Sequence, residues 1–200
     1  MSVTDVNYDL SMARWEPDSR GRLEQAALTL FAERGFENAT AAEIARRAGV
    51  TERTFFRHYA DKREVLFSGS SALVEVIVGG AEKAPAAMPP LDALAVGLEA
   101  AGAFFNAERR EFARRRQALI SANPELQERE LNKFAALSGA LADTLRRRGV
   151  DESAASVAGD VAIALFRTAF GRWIDDANEE EFPQLVRESL EQLKALTASA

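Results

Sequence analysis

The sequence has no cysteine and a single histidine, His58. The first absence excludes disulfides and thiolate metal sites. The second excludes a multi-histidine metal cluster, and no serine or cysteine lies close to His58 in sequence as a nucleophilic partner. There is no Gly-rich phosphate loop either. No catalytic residue, metal or cofactor is therefore expected, and the chain is not expected to be an enzyme. No run approaches ~18 unbroken apolar residues, and the polar, acid-containing start lacks the basic-then-apolar order of a signal peptide. The expectation is a soluble, cytoplasmic protein with no membrane partner. Strand-like alternation, repeats of fixed period and low-complexity tracts are missing as well. What remains is helical periodicity, which predicts an all-α fold.

The 200 residues are 47% hydrophobic and 28% charged, ordinary material for a small domain joined to a larger one. The net charge of −6 is unusual for a nucleic-acid binder, but its distribution is uneven. Bases gather at Arg46, Arg47, Arg53, Arg57, Lys62 and Arg63, while Glu179, Glu180, Glu181, Glu188 and Glu191 crowd the other end. A local basic face still acts on DNA, because charges farther than a Debye length of about 8 Å are screened.

Residues 1–17 show no clean period and read as a flexible arm. Leu23, Ala26, Ala27, Leu30 and Phe31 then mark one face of a helix that Gly35 ends. Thr40 with Glu43 three residues on has capping-box spacing. Thr51 begins another short helix through Phe55, Phe56 and Tyr59. Two short helices joined at Ala48-Gly49-Val50 form a helix-turn-helix. Phe55 and Tyr59 are expected to face its core, leaving Glu52, Arg53, Thr54, Phe56, Arg57 and His58 to face a DNA major groove, whose width of about 12 Å admits a helix. Arg53 and Arg57, one turn apart, suit guanine edges. Thr40 and Thr51 at helix starts, and Lys62 at the start of the next, suit phosphate. The bland reading is a solvated basic helix face.

These residues resemble the TetR family of bacterial repressors from Arg22 to Leu66, through the segments LTLFAERGFENAT and AEIARRAGVTERTFFRHYADKREVLF. The resemblance implies that Thr51 to Tyr59 is the recognition helix. It implies phosphate contacts at Thr40, His58 and Lys62 and groove contacts at Glu52, Arg53, Thr54, Phe56 and Arg57. Phe56 stands where that family commonly has a tyrosine, so the hydroxyl contact is missing.

Beyond this, Asp61 to Val78 reads as one helix ended by Gly79-Gly80, with a Pro-rich loop after it. Helices follow over Leu91–Asn106, Arg109–Ser121, Pro124 to the stop at Gly149, Asp151–Asp176, and from Pro183 on. Phe104, Phe105, Phe112, Leu119 and Phe134 read either as plain core or as the wall of an apolar ligand pocket. The run FARRRQALISANPELQERELNKFAAL, with Trp173 further on, resembles TetR-family members that bind acyl-CoA-like ligands. Two readings stand for Arg114, Arg115 and Arg116: a cradle for a phosphorylated thioester, with Arg115 in the site, or pairs with acids such as Glu108 and Glu111. The last two helices, rich in small residues and in Val186, Leu190 and Leu193, suit a homodimer.

The sequence therefore predicts a flexible arm (1–17), a three-helix DNA-binding domain (18–66) and a larger helical ligand-binding and dimerisation domain (67–200). Its expected function is a ligand-responsive repressor, released from a palindromic double-stranded DNA operator by a hydrophobic or acyl-CoA-like effector. The alternative is an all-α acyl- or isoprenoid-binding protein or enzyme with a structural N-terminal part. Salt-dependent, sequence-specific DNA binding separates the two.

Overall fold

The computed structural model describes residues 19–198; the expected arm, residues 1–17, lies outside them. The described residues are helical with no strand, as the periodicity predicts. The chain divides into two compact units, one ending at Val65 and the other beginning at Leu66.

The first unit holds α1 (Ser19–Arg34), α2 (Ala41–Arg47) and α3 (Glu52–His58). The face of α1 expected to be apolar is buried throughout: Leu23, Ala26, Ala27, Leu30 and Phe31. Ile44 and Ala45 of α2 and Phe55 of α3 are buried with them, and Tyr59 just after α3 is nearly so. Gly35 ends α1 at φ 80°, donating its N–H to the Phe31 carbonyl.

The second unit opens on a 3-10 turn at Leu66–Phe67, the end of Glu64–Phe67, and continues with α4 (Ser70–Lys83), α5 (Pro90–Ala100) and a 3-10 turn Ala101–Phe104. Four longer helices follow: α6 (Ala107–Ala122), α7 (Pro124–Arg147), α8 (Glu152–Trp173) and α9 (Phe182–Ala198). Its core joins α4, α5, α7, α8 and α9 through Ile77, Leu94, Leu98, Leu141, Leu145, Phe166, Trp173 and Leu185. Glu64–Lys83 and α8 reach the length and hydropathy of a membrane-crossing helix by composition. The buried face of α8, with Ala155, Ala162, Phe166 and Ala169, belongs to this core, as an interior helix's does.

Three expectations need correction. The single helix predicted over Asp61–Val78 is two elements, because Gly69 turns left-handed at φ 81° between the 3-10 turn and α4. The helix also does not stop at Gly79-Gly80; it runs on to Lys83. Gly80 is there for closeness: a Cβ would meet the Gly97 Cα at 2.9 Å, and a Cβ on Gly97 would run into the Ile77 carbonyl oxygen. Side-chain-free crossing lets α4 and α5 touch backbone to backbone. The helix predicted to reach Asn106 instead tightens to 3-10 after Ala100. Similar closeness sets α7 on α8, where a Cβ on Gly159 would lie 2.6 Å from the Ser138 carbonyl oxygen.

Neighbouring glycines on α4 give an internal control. Nothing lies within 4 Å of a Cβ on Gly79. Gly79→Ala is expected to stabilise the protein by up to about 1 kcal/mol through helix propensity. Gly80→Ala gains the same propensity but overpacks a crossing, at a cost of about 1–3 kcal/mol. Urea denaturation of the two variants should therefore place Gly80→Ala below Gly79→Ala. Equal midpoints would show that the crossing is not tight.

Candidate nucleic-acid interface and effector cavity

The turn between α2 and α3 is built by its backbone. Gly49 sits at φ 70°, which a side chain would strain. Its N–H reaches the Arg46 carbonyl and the Val50 N–H reaches the Ala45 carbonyl, the paired closure of a helix C-terminus. Thr51 then caps α3, its hydroxyl accepting from the Thr54 N–H at 3.1 Å. With Phe55 buried as the anchor, the opposite side of α3 faces out. Glu52, Arg53 and Arg57 are exposed, Phe56 is 52% exposed and Thr54 is half-buried. Among the described residues, the side chains of Arg53 and Arg57 make no hydrogen bond or ion pair.

Several other bases are engaged. Arg47 forks onto the Glu33 carboxylate of α1, and Arg34 holds Glu43 at 2.6 Å. Glu43 also accepts from the Thr40 backbone N–H and hydroxyl, both at 3.0 Å, completing the capping box that the sequence predicts. These bonds, the backbone one foremost, hold the Glu43 carboxyl below the usual carboxylate range. A carboxylate thus already occupies the start of α2, where Thr40 is expected to meet phosphate. Lys62 is committed as well. Its ammonium donates to the carbonyls of Phe36 (2.8 Å), Glu37 (3.1 Å) and Ala39 (3.2 Å) and lies over the Phe36 ring. An ammonium has three N–H donors, so a phosphate at Lys62 must displace a carbonyl. Arg46, exposed on α2 and free of hydrogen bonds and ion pairs among the described residues, is a base the sequence reading named without assigning it a contact.

His58 is half-buried at the end of α3, its Nε2 3.0 Å from the Ser19 hydroxyl. Burial lowers its pKa below the ordinary 6.5, and the positive charges of Arg57 and Arg20 add to the effect.

In the second unit the expected pocket residues separate. Phe105 packs on Phe166, Phe170, Trp173 and Phe182, with ring centroids 4.4–5.9 Å apart. Trp173 is fully inside this cluster. Phe105 and Trp173 thus pack within an aromatic cluster, and neither lines the cavity described next. Phe104, Phe112 and Leu119 are half-buried, and Arg115 is exposed on α6. A cavity of about 450 Å³ opens elsewhere, between α6, α7 and α8. Phe134 is the expected residue that lines it; Phe170, Ile174, Ala164 and Gly171 supply the rest of its apolar wall, and Gln117, Glu130, Arg167 and Thr168 its polar groups. The α8 residues were not legible as a cavity wall, because the small residues of that helix read as a dimerisation face. The three consecutive arginines divide. Arg114 pairs with Glu111 and Asp176, in line with the reading as pairs with acids. Arg116 turns inward, to the Leu66 carbonyl and towards Glu130.

The family model of bacterial regulatory proteins of the tetR family matches residues 24–68, and the model of the MftR C-terminal domain matches residues 88–198, over half of the chain. The chain belongs to the tetR family of transcriptional regulators. It is 27% identical over 157 residues to the transcriptional regulator MftR of Mycobacterium tuberculosis, named for mycofactocin biosynthesis, covering 77% of this chain and 79% of that one. It is 41% identical over 76 residues to TcmR of Streptomyces glaucescens; that match covers 38% of this chain and spans about a third of TcmR. Among solved structures it resembles FadR of Thermus thermophilus, a repressor crystallised with lauroyl-CoA, at 25% identity and a TM-score of 0.50, covering 87% of this chain and 92% of FadR. The all-helical fold with an N-terminal helix-turn-helix is the family's.

The lowered pKa of His58 has a signed consequence. The unfolded chain takes up a proton first as pH falls, so the stability present above pH 6.5 is lost between 6.5 and the lower folded value. Chemical denaturation at pH 7.5 and 5.5 should show wild type losing more stability on acidification than His58→Gln, which keeps a group able to bond Ser19. An equal loss in both would remove the imidazole as the cause.

Proposed function

We propose that this regulator reads its operator with α3, as a homodimer, and is released by an effector bound in the α6–α7–α8 cavity. The observation that carries the reading is the pair Arg53 and Arg57. They lie one turn apart on the exposed face of a capped helix and, among the described residues, are not spent on any carboxylate. Bidentate guanidinium contacts to guanine each discriminate by about 1–3 kcal/mol. Phe56 beside them offers an apolar face to a thymine methyl, and Glu52 and Thr54 complete the groove-facing set. Thr40, Thr51, His58 and Lys62 contribute less, because their polar atoms are already bonded inside the unit.

The dimer reading is supported by a stripe on the outer side of α8. Val157 and Val161, one turn apart, lie there outside the cavity lining; Val157 is 62% exposed and Val161 half-buried. On α9, Leu196 is 77% exposed and Leu193 half-buried. Two copies pairing through α8 and α9 would cover these residues. They would also place two recognition helices on successive major grooves, which calls for a near-palindromic site. An effector with an apolar acyl-like part suits the Phe134, Phe170 and Ile174 wall. The FadR complex with lauroyl-CoA supports that chemistry, and repression as the sign of regulation.

Selection of bound sequences from random DNA should yield a near-palindrome. On that site, Arg53→Ala and Arg57→Ala should each weaken binding by about 1–3 kcal/mol and relax the preference at one base pair per half-site. A uniform loss across all sequences would reduce both residues to phosphate contacts. Sedimentation should find a dimer for wild type and a monomer for Val157→Arg at micromolar concentration, with operator binding lost in parallel. A wild-type monomer, or a Val157→Arg dimer, would contradict the α8 interface.

A further inference from the structure

Inside the second unit, one buried cation joins the cavity wall to the point where the unit begins. Arg116 of α6 has a side chain only 21% exposed. Its Nε donates to the carbonyl oxygen of Leu66. Its guanidinium lies over the Phe67 ring at 5.1 Å, and the Lys133 ammonium stands 5.4 Å from the same ring centre. Its Nη1 points towards Glu130 of α7, 3.8 Å from Oε1. Burial pushes the Arg116 pKa down, and the Glu130 charge pushes it back up. Glu130, 18% exposed, is itself part of the cavity wall, and its other oxygen accepts from the Gln117 amide at 3.4 Å.

The lengths of those two contacts matter. A tight charge-assisted bond is about 2.7–2.9 Å. Glu130 makes neither of its contacts at that length. It is a carboxylate held between two partners and locked onto neither. Arg116, in contrast, presents a rigid fork whose donors point in fixed directions, one at Leu66 and one at Glu130. Withdrawing Glu130 leaves a mostly buried cation without its counter-charge, which favours turning the guanidinium out towards water. That movement takes the donor from the Leu66 carbonyl and the cation from the Phe67 face. Leu66 is the residue directly after Val65, where the first unit ends, and Gly69 follows at φ 81°.

We propose that Arg116 and Glu130 form a positioning pair that reports occupancy of the cavity to the Leu66–Phe67 turn, and so to the chain entering the DNA-binding unit. An occupant that draws Glu130 into the cavity loosens the turn through Arg116; an empty cavity leaves it clamped. The pair links effector binding at the cavity to operator binding by the first unit. Its role is the coupling between the two, a free energy distinct from either binding. The inference rests on the effector reading of this cavity, and the test separates the two.

Full-length wild type, Glu130→Gln and Arg116→Lys are compared with lauroyl-CoA as the probe. Calorimetry reports its binding, and fluorescence anisotropy on the selected operator reports release at saturating probe. Wild type should bind and lose operator affinity. Arg116→Lys should still bind the probe, and both variants, their turn already loosened, should bind the free operator more weakly than wild type and lose about tenfold less affinity on saturation. Arg116→Lys should not rescue, since an ammonium keeps the charge but not the two fixed directions. Full release in both variants would overturn the pair and leave the effector reading standing. If wild type does not bind lauroyl-CoA or does not respond to it, the acyl-type effector reading falls. The pair is then judged by hydrogen exchange without ligand. Amides of residues 66–70 should exchange several-fold faster in both variants than in wild type, with α5 and α9 unchanged; unchanged exchange at 66–70 would overturn it.

Discussion

Everything the first unit offers to DNA depends on one left-handed residue. Gly49 at φ 70° lets the chain close α2 with two backbone hydrogen bonds and restart as α3 within three residues. That reversal lets Phe55 face inward while Arg53, Phe56 and Arg57 face outward. A Cβ at Gly49 would meet no neighbour, so the constraint is backbone conformation and not space. The acidic net charge then ceases to be a difficulty. Several other bases near α3 are engaged in place, Arg47 by Glu33, Arg34 by Glu43, and Lys62 by hydrogen bonds to three carbonyls. Among the described residues, the cations left uncommitted on α3 are the two proposed to reach a groove, a small, directed charge in place of a large diffuse one.

The second unit uses glycine in the other way. Gly80, Gly97 and Gly159 have ordinary helical conformations, and their value lies in the missing side chain. Backbones brought that close leave little slack, so the core through α4, α5, α7, α8 and α9 is filled, aromatic rings included. One cavity lies to one side, between α6, α7 and α8, and it carries polar groups that a packed core does not need.

Much of this was legible in the sequence, and the failures have physical causes. Gly35, Gly49 and Gly149 were readable as helix stops because each takes a positive φ after a periodic run. Gly80 was misread by the same rule, since sequence does not distinguish a glycine needed for φ from one needed for closeness. The break at Gly69 was hidden because an apolar run continues across it. Thr40–Glu43 was readable because a capping box is local. The clamp of Lys62 on carbonyls 23 to 26 residues away is not local and left no trace in spacing. The aromatic residues were correctly taken as apolar. Whether rings fill a core or line a void depends on packing between helices, and Phe105 and Trp173 went to the core while Phe134 reached the cavity.

The central claim is that α3 enters a major groove with Arg53 and Arg57 on base edges. Dimethyl sulfate footprinting on the selected operator tests it directly, because the reagent modifies guanine N7 in that groove, the acceptor an arginine would cover. The account predicts guanine protection in two symmetric half-sites, with one guanine per half-site exposed again in Arg53→Ala and a different one in Arg57→Ala. Bound DNA with no protected guanine N7, or protection identical in wild type and both variants, would contradict it.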